Sequence, residues 1–362
     1  MSDKSQKTVV VGMSGGVDSS VTALLLKEQG YRVIGLFMKN WEDDDSDSYC
    51  HAQDDFDDVA QVCEQIGIPY YSVNFAKEYW ERVFSVCLKD FEAGYTPNPD
   101  ILCNQEIKFK IFFEKALSLG ADYLATGHYC RKLMINGNAC LAKGMDPLKD
   151  QSYFLYTLKE KILQRVLFPI GELPKTEVRA LAEKHGLATA KKKDSTGICF
   201  IGKRNFKTFL ERYCKKKPGN FETPEGKIIA QHDGVAFYTI GQRKGLNIGG
   251  PGEAWFVVGK DIERNVVIIT QGADHPALYT RSLITSEMSW VNEAITSFPY
   301  RCHAKVRYRQ NDAACTLVWE RDGQIYVEFD EDQRAVTPRQ SIVLYQGNQC
   351  LGGGIIQSDA SK

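Results

Sequence analysis

Short apolar runs alternate with amphipathic stretches through the first half of the chain. Thr8–Gly12 is an apolar run, and behind it Val21, Leu24 and Leu25 recur at helical spacing. This reads as a strand that passes through a turn into a helix. Gly30 closes that helix and Tyr31–Met38 is the next strand. Phe56, Val59, Ala60, Cys63 and Ile66 share one face of a helix over Asp54–Ile66; Gly67 stops it, and Pro69–Asn74 is a third strand. A helix over Ala76–Glu92 groups Trp80, Val83, Phe84 and Cys87, another spans Asn104–Leu119, and Asp122–Thr126 is a further strand. Strands that alternate with helices make βαβ units, hence a parallel sheet with helices on both faces. Ligands of such sheets bind at the carboxyl ends of the strands.

The pattern then changes. Leu133-Met134-Ile135 and Ala139-Cys140-Leu141 flank Asn136-Gly137, a strong hairpin signal. Helices are predicted over Gln151–Leu158, Thr176–Gly186 and Arg204–Tyr213. After Lys217-Pro218-Gly219, β-runs and glycine turns dominate: Phe237–Ile240, Trp255–Val258, Val266–Thr270, and from about Ser282 alternating strands with turns at Asp322-Gly323 and Gly347-Asn348. The expected organisation is an α/β domain over residues 1–203, a small β-rich central domain over 204–278 and a C-terminal antiparallel β-barrel over 279–362. The acidic run Glu42–Asp47 reads as a flexible loop.

Composition narrows the class. The 362 residues are 43% hydrophobic and 25% charged, as in a soluble globular protein of more than one domain. No apolar stretch approaches the ~18 residues of a membrane span. The polar Met1–Lys7 leads directly into a strand, so no signal peptide and a cytoplasmic location are expected. Eleven cysteines without a C-x-x-C pair argue against a disulfide framework and against a zinc ribbon. A net charge of −1 is not that of a nucleic-acid binder, so any such partner must be met by local charge.

The most informative stretch is Ser14-Gly15-Gly16-Val17-Asp18-Ser19-Ser20, set between the first strand and the first helix. Glycines let backbone N–H groups approach an anion, and a helix start adds unpaired N–H groups and the positive end of the macrodipole. This is a phosphate cradle without the lysine of the mononucleotide P-loop. Gly12–Ser19, Met38 and Gly127-His128 all fall at strand ends, which independently puts a nucleotide there.

Two cysteines differ from the other nine. Cys103 follows Pro97-Asn98-Pro99-Asp100-Ile101-Leu102, where a helix is expected to begin, and a helix start lowers a thiol's pKa. Cys199 lies in Asp194-Ser195-Thr196-Gly197-Ile198-Cys199, after Lys191-Lys192-Lys193. Asp100 is either an acid or base toward a bound heterocycle or a helix-start carboxylate, and His128 either a ligand or a structural histidine. In Tyr300–Arg309, Arg301, His303, Lys305, Arg307 and Arg309 occupy alternate positions, one face of a strand with neighbours about 7 Å apart. That face suits an anionic polymer, the alternative being a solvated outer barrel face. Lys203–Lys217 is a candidate extension of it.

Together these features resemble the tRNA-specific 2-thiouridylase (tRNA-uridine 2-sulfurtransferase) family of PP-loop ATP pyrophosphatases over essentially the whole chain. The marks are Gly12–Ser19, Asn98-Pro99-Asp100 with Cys103, Thr126-Gly127-His128, Lys149–Tyr153, Ser195–Cys199 and Tyr238–Arg243. The resemblance implies an adenine nucleotide alpha hydrolase-like parallel sheet, with ATP bound along Gly12, Met13, Ser14, Gly15, Gly16, Val17, Asp18 and Ser19, and with Met38 and Gly127 beside it. It implies that Asn98, Pro99 and Asp100 contact the target base of tRNA. His128, Lys149, Asp150, Gln151, Tyr308, Arg309 and Gln340 are expected to touch the tRNA. Catalysis is expected from Asp100, from Cys199 carrying a persulfide received from a sulfur-relay protein, and from Cys103 resolving the product through a transient disulfide. Magnesium is expected with ATP; no protein metal ligand is assigned, and contact with Asp18 is left open. Alternatives within reach of the same residues are a PP-loop enzyme that adds nitrogen to a metabolite, RNA sulfuration through an iron–sulfur cluster, and an RNA-binding protein with a vestigial nucleotide site.

Overall fold

The computed structural model describes residues 4–42, 51–194 and 206–359. Its amino-terminal sheet is the parallel one that the alternation implies. β1 (Thr8–Met13), β2 (Arg32–Lys39), β3 (Tyr70–Asn74) and, later in the chain, β4 (Tyr123–Ala125) and the two-residue Val166–Leu167 stand in the order β3-β2-β1-β4-(166–167). All neighbouring pairs are parallel. β1 is central and fully apolar on both faces, with Val9, Val10 and Val11 inaccessible to solvent, as a doubly covered strand must be. α1 (Val17–Glu28) and α2 (His51–Ile66) cover one face through Ala23, Leu26, Val59, Val62 and Cys63. The helical runs 76–92 and 99–118 cover the other through Tyr79, Val83, Phe84, Ile107 and Phe112.

Both runs on that second face contain π-helical winding, at Trp80–Phe84 and at Cys103–Phe112. The second run starts at Pro99, not near Asn104. Asn98 caps it, its side chain accepting a hydrogen bond from the Ile101 N–H, and Pro99 occupies the first turn, where a missing N–H costs nothing. Two other elements differ from expectation. Residues 151–158 form a 3₁₀ turn at Ser152–Phe154 and no α-helix; the next helix is Glu160–Leu163. Residues 237–240 are not a strand: Val235–Phe237 is a 3₁₀ turn, and the Ile240 carbonyl accepts from Arg307.

The Asn136-Gly137 hairpin pairs β5 (Cys130–Ile135) with β6 (Asn138–Lys143), both turn residues at positive φ. It then leaves the parallel-sheet unit: Ala142 pairs with Gln349 of the last strand. The central β-sheet is built from Gly219–Glu222, Ile228–His232, Trp255–Asp261 and Val266–Gln271. The C-terminal sheet closes on itself. Of its eight strands, β5 and β6 extend the edge, and six close the barrel: Tyr279–Trp290, Tyr300–Lys305, Ala313–Arg321, Gln324–Arg334, Ser341–Gln346 and Gln349–Asp359, the first pairing with both the fourth and the last. Leu283, Val327, Phe329, Ile342 and Ile356 fill the barrel.

The barrel and the α/β unit share one core. Val343, Tyr345 and Cys350 of the barrel lie in the same buried cluster as Val10, Leu36, Ile107 and Leu141. Asp150 sits at that seam, 5% exposed. It accepts from the N–H groups of Gly144 and Ser152, from Ser152 Oγ, and from Lys305 Nζ at 3.2 Å. Tyr153 OH donates to the Ser341 carbonyl at 2.8 Å, and Tyr156 OH lies 3.1 Å from Ser341 Oγ. These anchors explain why 151–158 is not helical: the segment is buried on both sides, between two units, and its polar ends bond across the seam. Asp150→Ala leaves the buried Lys305 ammonium without its nearest carboxylate and is expected to cost about 3 kcal/mol. Urea denaturation should show it as a lowered midpoint; an unchanged midpoint would mean that the seam carries no stability.

Candidate active site at the carboxyl edge of the parallel sheet

β1 ends at Met13, and the chain turns through Ser14, Gly15 and Gly16 into α1. Gly15 has φ +70°, and a Cβ there would stand 2.6 Å from the Asp55 carbonyl oxygen. The turn therefore requires glycine. Gly16 precedes α1 with no side chain capping the first N–H groups, which leaves the helix start open to an anion. Ser19 Oγ braces the turn, accepting from the Ser14 N–H at 3.2 Å and donating to the Gly16 carbonyl at 3.0 Å. Gly127, just past β4, lies on the loop itself: a Cβ there would meet the Asp18 carbonyl carbon and the Ser19 nitrogen at 2.9 Å. Met38, half-buried, is near the end of β2.

The helix starting at Pro99 runs back toward β4, so its amino-terminal end, with Asn98 and Asp100, lies at this same carboxyl edge. Cys103 is in the second turn, 1% exposed among Ile101, Ile107 and Phe109. The helix-start effect expected for its thiol therefore does not apply, since that effect fades beyond the first turn; Asp100 has the first-turn position instead. Cys199 lies outside the described residues, as does most of the acidic run Glu42–Asp47.

Several residues expected at a tRNA surface are turned inward. His128 is buried between Phe109 and Phe168, its Nδ1 2.8 Å from Thr126 Oγ1, and burial holds its pKa well below the ordinary value. Asp150 is the seam carboxylate described above. Gln151 clamps Tyr129, accepting from its N–H through Oε1 and donating its own N–H to the Tyr129 carbonyl, both at 3.0 Å. Gln340 Nε2 donates to the Thr96 carbonyl at 2.5 Å, tying the barrel to the loop that enters Asn98. Tyr308 packs on Phe154 at 4.4 Å between ring centroids, and exposed Arg309 lies over Tyr308 at 5.4 Å.

The basic strand is shorter than expected and its charges are met. It ends at Lys305, and Arg309 has φ +64°. Arg301 pairs bidentately with Asp330, and Lys305 with Asp150 and Asp312. Arg307, half-buried, donates to the Ile240 carbonyl and to Thr337 Oγ1. Of the proposed extension, Lys207 pairs with Asp233 and Lys216 with Glu211.

The residues that the sequence pattern did not single out are Tyr129, Lys175, Arg179 and Asp194. Asp18 Oδ1 accepts from Tyr129 OH at 2.8 Å and from Lys175 Nζ at 2.6 Å. Lys175 also reaches Asp194 at 2.9 Å, which Lys149 and Arg179 hold at 2.7 and 2.6 Å. Burial pushes the Asp194 carboxyl up, but hydrogen bonds from Lys149 and Lys175 outweigh it and hold its pKa at about 2.

A groove of about 540 Å³ opens elsewhere, between the helix at 99–110 and the barrel. Asn98, Ile101, Leu102 and Arg339 line it, but Asp100 and Cys103 do not.

Residues 7–203 match the family described as tRNA methyl transferase HUP domain. Residues 207–271 match the tRNA methyl transferase PRC-barrel domain, and 280–356 the aminomethyltransferase beta-barrel domain. The chain is 62% identical over 355 residues to the tRNA-specific 2-thiouridylase MnmA of Protochlamydia amoebophila, covering 98% of this chain and 94% of that protein. It is 56% identical to the protein of the same name from Halalkalibacterium halodurans, with 99% and 96% covered. The corresponding Pseudomonas paraeruginosa protein is 57% identical, with 98% and 95% covered. The chain belongs to the tRNA-specific 2-thiouridylase family. The α/β PP-loop unit, the small β domain and the closed barrel are that family's architecture, as the resemblance implied. No helix among the described residues is long and apolar enough to cross a membrane.

The ionised Asp194 is the site's clearest pH marker. A carboxyl with pKa about 2 in the folded state and ~4 unfolded adds stability that is present above pH ~4 and lost as pH falls toward 2. The difference in unfolding free energy between wild type and Asp194→Asn should therefore shrink as pH is lowered from 5 to 2. A difference that stays constant over that range would show that Asp194 is not held ionised by its neighbours.

Proposed function

We propose that this chain carries out ATP-dependent 2-thiolation of the wobble uridine of tRNA, with the residues at the carboxyl edge of the sheet as its machinery. The observation that carries the reading is the convergence of an uncapped helix start, the glycine-permitted turn before it and the Asn98–Asp100 helix start on one edge of a parallel sheet.

The cradle fits a triphosphate: open N–H groups at the start of α1, Gly15 and Gly127 at positions without room for a side chain, and lysines within reach. Among the described residues no group of three or more His, Cys, Asp or Glu is arranged to hold a metal. Asp18, in the first turn of α1, is the carboxylate that could hold a magnesium ion with the triphosphate, and the metal would neutralise the charge that builds as pyrophosphate departs.

The uracil O2 attacks the α-phosphorus of ATP and pyrophosphate leaves. This converts a poor leaving group into AMP and divides one hard substitution into easier steps. Asn98, Pro99 and Asp100 present the flipped base to the cradle. Asp100, in the first turn of the helix, takes up the N3 proton as the O2 adenylate forms. The terminal sulfur of a Cys199 persulfide, delivered by a sulfur-relay protein, bonds to C2 and AMP is expelled. The Cys103 thiolate then attacks Cys199 Sγ. The S–S bond to the transferred sulfur breaks, its electron pair stays with the base as the 2-thio group, and a Cys103–Cys199 disulfide forms. An external thiol reductant reopens it for the next turnover. Cys103 is buried, so this attack needs local opening of its helix. The π-helical winding that begins at Cys103 is where the backbone ladder is least regular.

For the RNA, Tyr308 and Arg309 offer a ring and an exposed guanidinium beside the seam, and Lys149 an ammonium beside Asp194. Gln151, Asp150, His128 and Gln340 act by holding the loops that carry these groups.

Cys199→Ser should leave tRNA-dependent pyrophosphate release intact and abolish 2-thiouridine in digests of the product tRNA analysed by mass spectrometry. Pyrophosphate release lost together with thiolation would count against sulfur transfer as a separate step. Arg309→Ala should lower tRNA affinity and reduce the slope of log affinity against log salt by about one phosphate contact. An unchanged slope would move the RNA surface elsewhere.

A further inference from the structure

The Ser14–Ser20 loop lacks the lysine of a mononucleotide P-loop, yet an ammonium stands at it. The helix Lys175–Lys184 packs Val178 and Ala182 against Val17, Val21 and Leu24 of α1. That packing brings its first residue, Lys175, to the start of α1. The Lys175 side chain is 10% exposed, its Nζ 2.6 Å from Asp18 Oδ1, 2.9 Å from Asp194 Oδ1 and 5.6 Å from the centre of the Tyr129 ring. We infer that Lys175 is the polyphosphate-binding lysine of this site. With nucleotide bound, its ammonium turns from Asp18 to the non-bridging oxygens of the β- and γ-phosphates and remains with the pyrophosphate formed. This rests on the ATP reading of the cradle.

Three observations carry it. Asp18 is the second residue of α1, so an ammonium bonded to its carboxylate lies beside the uncapped N–H groups of that first turn, the donors that an anion at a helix start uses. The second is charge. Lys175 is the ammonium bonded to both Asp18 and Asp194, with Asp146 a third carboxylate at its backbone N–H. Remove Lys175 and the Asp18 carboxylate faces an incoming polyanion without that ammonium. The third is desolvation. A buried ammonium between carboxylates is costly to dehydrate, and packing beside Tyr129 and α1 would be met as well by an unbranched apolar side chain of similar reach. A lysine there is useful when a phosphate is to be bound. A lysine delivered from a separate helix, 157 residues after Asp18 in the chain, leaves no local sequence signature.

The test is calorimetric titration of the full chain, without tRNA, with ATP, pyrophosphate and AMP in turn. Lys175→Met should weaken ATP and pyrophosphate binding about tenfold or more, the loss of one charge-assisted hydrogen bond, and leave AMP within about twofold. Lys175→Arg should recover most of the loss. Unchanged ATP and pyrophosphate affinities, or an equal loss for AMP, would overturn the assignment, the latter because it would make Lys175 a support for the loop and not a phosphate ligand. Should Lys175→Met not fold, wild-type protein carries the test. Pyrophosphate, but not AMP, should slow acylation of Lys175 several-fold as read by peptide mass spectrometry, and equal labelling in both would refute the idea. A wild type that binds neither ATP nor pyrophosphate would bring down the nucleotide reading itself. A wild type that binds both, alongside an indistinguishable Lys175→Met, removes only the role of Lys175.

Discussion

The shared core between the parallel sheet and the barrel governs everything else in this molecule. Tyr345, Val343 and Cys350 are as deeply buried as the central strand of the α/β unit, and they belong to the same apolar cluster. Such a junction is a domain interior and not a docked surface, so the barrel does not swing freely on a linker. Gln340 then hooks the barrel to the Thr96-Pro97 loop, one residue before the Asn98 cap. A base held against the barrel side thereby has a defined position relative to Asp100 and the phosphate cradle. Bringing an RNA base and a nucleotide into near-attack geometry is the hard part of this chemistry, and a stiff seam supplies it before either substrate arrives.

A second theme follows from that stiffness. Acidic side chains at the seam and beside the first turn of α1 are matched to basic ones. Asp150 and Asp312 take Lys305, and Asp194 takes Lys149, Lys175 and Arg179. Cations held this way are pre-positioned. They remain available to phosphate wherever an RNA or nucleotide oxygen outcompetes the resident carboxylate. An overall net charge of −1 and a polyanionic substrate are then compatible under the proposed function, since a few fixed cations, and not a bulk field, would meet the phosphates.

Much of this was legible in the chain. The βαβ alternation, the glycine-rich turn and the Asn136-Gly137 hairpin each express a local rule that nothing distant overrides. What was not legible depends on contacts across the seam. Residues 151–158 present apolar side chains to two units at once, so their periodicity has no single face to report, and the hydroxyls of Tyr153 and Tyr156 draw them to Ser341. The alternation of Arg301 to Arg309 was read as one strand face. Yet Arg309 adopts a left-handed backbone, and Arg307 turns inward to complete the Ile240 carbonyl. The apolar-periodic run from Asn104 predicts a helix start at Cys103, while the Asn98 cap lies five residues before that cysteine. Lys175 was invisible for the simplest reason: its function depends on a neighbour 157 residues away.

The burial of Cys103 bears on the order of events. A thiol 1% exposed and walled by Ile101, Ile107 and Phe109 cannot intercept a persulfide arriving from solution. It is therefore protected from premature exchange with the sulfur donor. Under the proposed chemistry, the sulfur must reach the base before the resolving thiol reaches Cys199, because the opposite order would release the sulfur as sulfide and leave an empty disulfide. A resolving thiol kept behind a helix that must loosen imposes that order by rate alone. The irregular winding from Cys103 to Phe112 makes loosening cheaper there than in a regular α-helix of the same length. The same burial that argues against Cys103 as a primary nucleophile argues for it as the second.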